Sequence, residues 1–293
     1  MDTPLTLDFF FRRAERLFPH KELVTATATG IERSNYGEWA DRTRRLGGAI
    51  AELGVSEHGR VGTFAWNTAR HLELYFAVPC INRVLHTLNI RLFSDQIVYI
   101  ANHAEDEIIF VDRSLMALLW PLVDQLETVR HLIVMDDGEG EIPEDPRVLY
   151  YEDLVEAASP VEFEVRDERQ AASMCYTSGT TGNPKGVVYS HRSTYMHTIT
   201  TMTNDGLGVC ESDVILPVVP MFHVNSWGLQ HAAVAAGATL INPGPKLQPE
   251  PLAELIETER VTIAAGVPTI WMGVLNELDG RDVSSLRAIP CGG

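Results

Sequence analysis

The residues with the most chemistry per unit length lie between Tyr176 and Val187, in the run YTSGTTGNPKGV. Thr177, Ser178, Thr180 and Thr181 supply hydroxyls that can donate to phosphate oxygens or ligate a hard cation through oxygen. Gly179, Gly182 and Gly186 allow positive φ and close backbone approach, which turns N–H groups towards an anion. Pro184 stiffens the chain ahead of Lys185, whose ammonium is a point charge for phosphate. Two or three such residues would make an ordinary surface turn. The whole set in one run, directly after the apolar stretch Ala171 to Thr177, makes a polyphosphate cradle. It is not the G-x-x-x-x-G-K-[ST] phosphate loop, because Pro184 precedes the lysine and Gly186 follows it. A kinase or GTPase reading thereby loses its main support.

A second chemical segment is Pro217 to Gly228, PVVPMFHVNSWG, in which His223 can donate a hydrogen bond to a carboxylate or phosphate oxygen. Standing alone, it would be read as a histidine closing a strand end, and Trp227 as a core tryptophan. His191 and His197 belong with a helix after the loop more than with catalysis.

The elements that position these segments alternate in an α/β rhythm. Leu7, Phe10, Phe11, Ala14, Leu17 and Phe18 recur at helical spacing up to Pro19, and Trp39, Leu46, Ile50 and Leu53 do so before Gly54. Strand-like runs follow at Val61 to Trp66, Ile108 to Val111, Leu132 to Met135, Val214 to Val219, Thr239 to Ile241 and Val261 to Ala265. Helical patterns lie between them at Leu72 to Val78, Leu115 to Val123, Pro251 to Thr258 and Thr269 to Leu278, and an apolar segment at Trp227 to Ala236. Asp136 to Arg147 and Ser159 to Arg169 read as loops. The end, LRAIPCGG, reads as a buried strand entering a Gly-Gly turn. The expected class is α/β with parallel units.

The 293 residues are 45% hydrophobic, enough for a substantial core. With 23 lysines and arginines against 40 acidic residues, the net charge of −17 repels nucleic acid but leaves room for one local anion pocket. Cys80, Cys175, Cys210 and Cys291 form no C-x-x-C pair and suit a reducing cytoplasm. No transmembrane segment and no secretory leader is expected.

The loop resembles the phosphate signature of the adenylate-forming, AMP-binding superfamily, and the resemblance runs along nearly the whole chain. Leu85 to Leu92 (LHTLNIRL), Ile100 to Asp106 (IANHAED), Val187 to Arg192 (VVYSHR), the His223 segment, Ala265 to Thr269 (AGVPT) and Cys291 to Gly293 follow the order and spacing of fatty-acyl-CoA synthetases. The resemblance implies intertwined α/β subdomains of the large N-terminal adenylation domain, incomplete at the C-terminus, over residues 1–293, with the C-terminal domain absent. It implies activation of a fatty acid by ATP to acyl-AMP, then transfer to coenzyme A, in a homodimer that uses Mg²⁺. By residue, it implies Lys185 and His223 as catalytic, and Thr177, Ser178, Gly179, Thr180, Thr181, Gly182 and Lys185 as phosphate-binding. Val224 and Trp227 then lie by the nucleotide, Thr177 ligates the metal and Trp227 gates an acyl tunnel. Later family parts, including an adenylation lysine and a ribose aspartate, do not occur before Gly293, so the chain alone is expected to be inactive. The alternative is a non-enzymatic nucleotide-binding or scaffold fragment.

Overall fold

The computed structural model describes residues 3–177 and 183–292. Its strands, in chain order, are β1 (Glu22–Ala26), β2 (Ile31–Asn35), β3 (Arg60–Phe64), β4 (Val84–Thr87), β5 (Asp106–Asp112) and β6 (His131–Met135), then β7 (Val148–Tyr150), β8 (Ala171–Tyr176), β9 (Gly186–Ser190), β10 (Val214–Pro217), β11 (Thr239–Asn242) and β12 (Ile263–Ala265). Among the described residues they form a seven-stranded sheet, β7-β6-β5-β3-β4-β8-β9, and a five-stranded sheet, β12-β10-β11-β1-β2. Each sheet is parallel except for one antiparallel edge strand, β9 on β8 and β2 on β1.

Helices Leu7–Leu17, Tyr36–Glu52, Ala69–Cys80 and Leu229–Ala236 share one buried cluster with residues of both sheets, including Leu23, Ile215 and Leu240 of one and Val61, Leu85 and Phe110 of the other. His71 to Cys80 are buried on every side, as an apolar helix enclosed by other elements should be. Its start is fixed by Thr68, whose hydroxyl accepts from the His71 N–H at 3.1 Å. Among the described residues no helix is long and apolar enough to cross a membrane. The four cysteines are free thiols; Cys80 and Cys175 are buried, and Cys210 and Cys291 are exposed.

Two expectations fail for physical reasons. Leu115 to Val123 does not form one helix but a 3₁₀ turn, the single α turn Met116–Leu119, and a second 3₁₀ segment, Trp120–Gln125. Pro121 lacks the N–H that would continue the α ladder. The end of the chain is not a buried strand. It touches the sheet edge through isolated bridges, Ile263 to Ala288 and Gly266 to Cys291, and Ile289 is 47% exposed.

Candidate active site

β8 is buried from Ala172 to Cys175 and delivers Thr177 to the surface at its carboxyl end. β9 returns antiparallel, with Gly186 opposite Tyr176. The Thr177 N–H donates to the Lys185 carbonyl at 3.0 Å, so these two residues are the feet of a hairpin loop. Both are exposed, while Pro184 between them is buried. Ser178, Gly179, Thr180, Thr181 and Gly182 lie outside the described residues. Among the described residues the Lys185 ammonium is in no ion pair, unlike Lys21, which meets Glu211 at 3.3 Å. A cation without a protein counter-charge, on a chain of net charge −17, fits an anionic ligand.

The second segment is brought to β8 by a turn that sequence reasoning missed. Val224, Asn225, Ser226, Trp227 and Gly228 all have positive φ, from 46° to 73°. A left-handed stretch of this length costs about 1–2 kcal/mol for each non-glycine residue and persists only where its surroundings over-determine it. Here the buried Asn225 amide donates to Ser173 Oγ on β8 at 2.7 Å, and the buried Ser226 hydroxyl donates to the Val219 carbonyl at 2.8 Å. The Val224 N–H lies against the Cys175 sulfur; burial raises that thiol's pKa, partly offset by Tyr189 and by this N–H. The turn is thus fastened to the strand that carries Thr177. His223 and Val224 sit exposed at its head.

Asn67 holds the approach to this turn. It is buried after β3 and donates to the carbonyls of Pro217 and Val219 at 2.8 and 2.9 Å, while its own oxygen accepts from the Met221 N–H at 2.7 Å. Behind it, His71 accepts from the Thr63 hydroxyl at 2.9 Å and donates to the Trp66 carbonyl at 2.9 Å. Burial lowers its pKa to about 4, so the ring is neutral, as that bonding pattern requires. The strand-end signal for Asn67 was only its place after an apolar run, which does not distinguish it from any loop asparagine.

His191 and His197 are structural. His191 is fully buried, accepts from the Leu7 N–H at 3.3 Å, and has its pKa lowered to about 4 by burial. The His197 ring closes under Gly228, where a Cβ would come within 3.3 Å of it. Trp227 is partly buried against the main core. The end of the chain passes it, a Cβ on Gly292 falling 3.6 Å from the indole, and Gly266 of the AGVPT segment donates its N–H to Pro290 at 3.1 Å. The motifs at residues 223–228, 265–269 and 291–292 therefore meet at one end of the two sheets.

With these segments joined to the loop root, the comparisons decide the family. Residues 10–293 match the family model described as AMP-binding enzyme. The chain belongs to that family. It is 46% identical over its whole length to a long-chain-fatty-acid–CoA ligase of Thermus thermophilus and 43% identical to a 3-methylmercaptopropionyl-CoA ligase of Ruegeria lacuscaerulensis. It spans about half the length of these relatives, 53% and 55% respectively. Its fold is that of the N-terminal domains of adenylate-forming enzymes. A long-chain-fatty-acid-CoA ligase of Archaeoglobus fulgidus superposes with a TM-score of 0.85 at 24% identity, over 99% of this chain and 58% of that one.

Proposed function

We propose that the protein carrying this AMP-binding chain is a fatty-acid–CoA ligase. A carboxylate oxygen of the acid attacks the α-phosphorus of ATP, the bond to the β-phosphate bridging oxygen breaks, and pyrophosphate leaves. The thiol of coenzyme A then attacks the acyl carbonyl, loses its proton, and displaces AMP. Lys185 opposes the charge gathering on the leaving pyrophosphate. His223, at the head of the turn, hydrogen-bonds the reacting oxygens and orients them. Val224 and Trp227 flank the nucleotide, and Trp227 stands between it and the acyl chain. The hydroxyls and amides of Ser178 to Gly182 complete the cradle. The observation that carries this reading is the Asn225 to Ser173 hydrogen bond, which fastens the histidine turn to the strand of the cationic loop.

Mg²⁺ supplies Lewis-acid neutralisation of the phosphates. Among the described residues no group of three His, Cys, Asp or Glu side chains could hold a metal; the exposed Thr177 hydroxyl, a neutral oxygen, would be a donor to it. That fits a hard cation carried in mainly by phosphate oxygens. The fatty-acyl class rests on relatives named for long-chain, medium-chain and methylmercaptopropionyl acids. The reading includes a homodimer in the cytoplasm, whose assembly state sedimentation equilibrium would measure.

Pyrophosphate exchange tests the proposal in the full-length protein. Label should pass from pyrophosphate into ATP only when a fatty acid is present, and with coenzyme A the nucleotide product should be AMP. ATP binding with no acid-dependent exchange would favour the alternative of a nucleotide-binding scaffold, and ADP would make it a phosphotransferase.

A further inference from the structure

Tyr176 is the last residue of β8, directly before Thr177, and its backbone partner Gly186 directly follows Lys185. Its side chain crosses to that second strand. A Cβ on Gly186 would stand 3.2 Å from Tyr176 Cζ and 3.2 Å from Met174 Cε, so the missing side chain at Gly186 makes the seat for the ring. An aromatic ring laid over an edge-strand glycine restores packing that the glycine alone lacks.

The ring is held at two further places. Its hydroxyl shares a 2.6 Å hydrogen bond with His103 Nδ1, and His103 stacks on Tyr99 one helical turn earlier, at 5.4 Å between centroids. His86 packs beside the ring at 5.2 Å. His86 in turn meets the Asp106 carboxylate through Nδ1 at 2.8 and 2.9 Å, both side chains being wholly buried. This pair spans β4 and β5 across Gly62 of β3, where a Cβ would come within 3.2 Å of Asp106 Oδ2. These contacts therefore converge on one tyrosine that directly precedes one foot of the loop, Thr177, and packs over Gly186, the residue that directly follows the other, Lys185. Without it, the direct link between those feet is the Thr177 to Lys185 backbone bond.

We propose that Tyr176 and His103 are a positioning pair that presets the separation and facing of the Thr177 hydroxyl and the Lys185 ammonium for a nucleoside triphosphate. This rests on the function proposed above and assigns how its phosphate site is held. A lysine on a flexible stem and a threonine at a hairpin foot would otherwise have to be ordered by the ligand, at the expense of its affinity. With the feet fixed in advance, that ordering is done during folding.

The test is pyrophosphate exchange by the full-length protein in Tyr176→Phe, His103→Ala, the double variant, His103→Asn and Lys185→Ala. Tyr176→Phe keeps the ring and removes one hydrogen bond. It should raise KM for Mg-ATP roughly fivefold, with KM for the fatty acid and the melting temperature unchanged. His103→Ala should match it, the double variant should add nothing further, and His103→Asn, which keeps an amide near the Nδ1 position, should recover part of the loss. Unchanged KM for Mg-ATP in Tyr176→Phe alongside a crippled Lys185→Ala would overturn the brace and leave the site intact. Equal rises in both KM values, or additive effects of the two changes, would also overturn it. Normal exchange in folded Lys185→Ala would overturn the functional reading and the brace with it.

Discussion

Two turns leave the carboxyl ends of parallel strands in the same sheet, on either side of β4, and they use similar residues in opposite ways. After β3, Ala65 to Thr68 dives inward. Trp66 donates its N–H to Asp112 at 2.7 Å, Asn67 binds three backbone groups of residues 217–221, and Thr68 caps a helix. After β8, Thr177 and Lys185 stay exposed, and among the described residues neither side chain is engaged by a protein partner. The β3 turn uses its polar groups on the frame, and on the function proposed above the β8 turn leaves them for a ligand. Strand ends of an open α/β sheet are where ligands gather, and on that reading burial of the polar groups, not residue type, separates scaffold from site.

The sharpest way to break that contrast is to remove one residue from each turn. Asn67→Ala deletes three hydrogen bonds at a buried position and should lower stability by about 3 kcal/mol, read from urea unfolding. The Val219 carbonyl keeps its bond from Ser226, which limits the loss. Lys185→Ala should do the converse. Adenylation measured by pyrophosphate exchange should fall roughly a hundredfold, ~2–3 kcal/mol, with the urea midpoint unmoved. Destabilisation by Lys185→Ala, or a stable Asn67→Ala protein, would erase the distinction. Thr177→Ala sharpens it within the β8 turn, since its defect should change with Mg²⁺ concentration while that of Lys185→Ala should not.

The sequence made the β8 turn readable because glycine, threonine and lysine in that density have few other uses. Most helices and central strands were legible by the same logic, from apolar periodicity. The hairpin β1 to β2 was not, because Ile31 to Asn35 is an exposed edge strand with no inward alternation to see. Nor was β9, whose GVVYS follows the loop without a break in composition. The left-handed turn was least visible. Asn225 and Ser226 tolerate such a backbone, but Val224 and Trp227 do not favour it, so its shape comes from tertiary bonds to Ser173 and Val219.

The frame side of the comparison also carries a pH signature. Asp112, wholly buried beneath Trp66, has its pKa raised from 3.8 to about 8, first by burial and then by the nearby Asp137, with the Trp66 N–H opposing. Between those values the native carboxyl keeps a proton that the unfolded chain has released. The contribution of this group is therefore full below about pH 4 and is lost as pH rises towards 8. Asp112→Asn stays neutral throughout, so relative to the parent it should gain about 2 kcal/mol between about pH 5 and about pH 7. A stability difference that stays flat across that range would mean Asp112 is ionised in the native protein.

Val224→Gly, in the left-handed segment fastened to β8, should have the smallest effect on stability. Val224 is β-branched, 40% exposed, and held at a φ of 46°. Its side chain buries little, so replacing it forfeits little packing, while glycine relieves a left-handed strain of ~1–2 kcal/mol. Glycine also widens the unfolded ensemble, which takes back about 0.4–1 kcal/mol. The net expectation is a gain of roughly 0.5 kcal/mol in stability, read from urea unfolding. Asn225, Ser226 and Asn67 keep the turn in place whichever residue stands at 224, because their bonds do not involve its side chain. Exchange should nonetheless decline severalfold, since residue 224 is proposed to flank the nucleotide and a freer backbone there would loosen the neighbouring His223. A loss of more than about 1 kcal/mol in stability would show that the valine is packed and that the strain is set locally. It would then not be imposed by the buried frame.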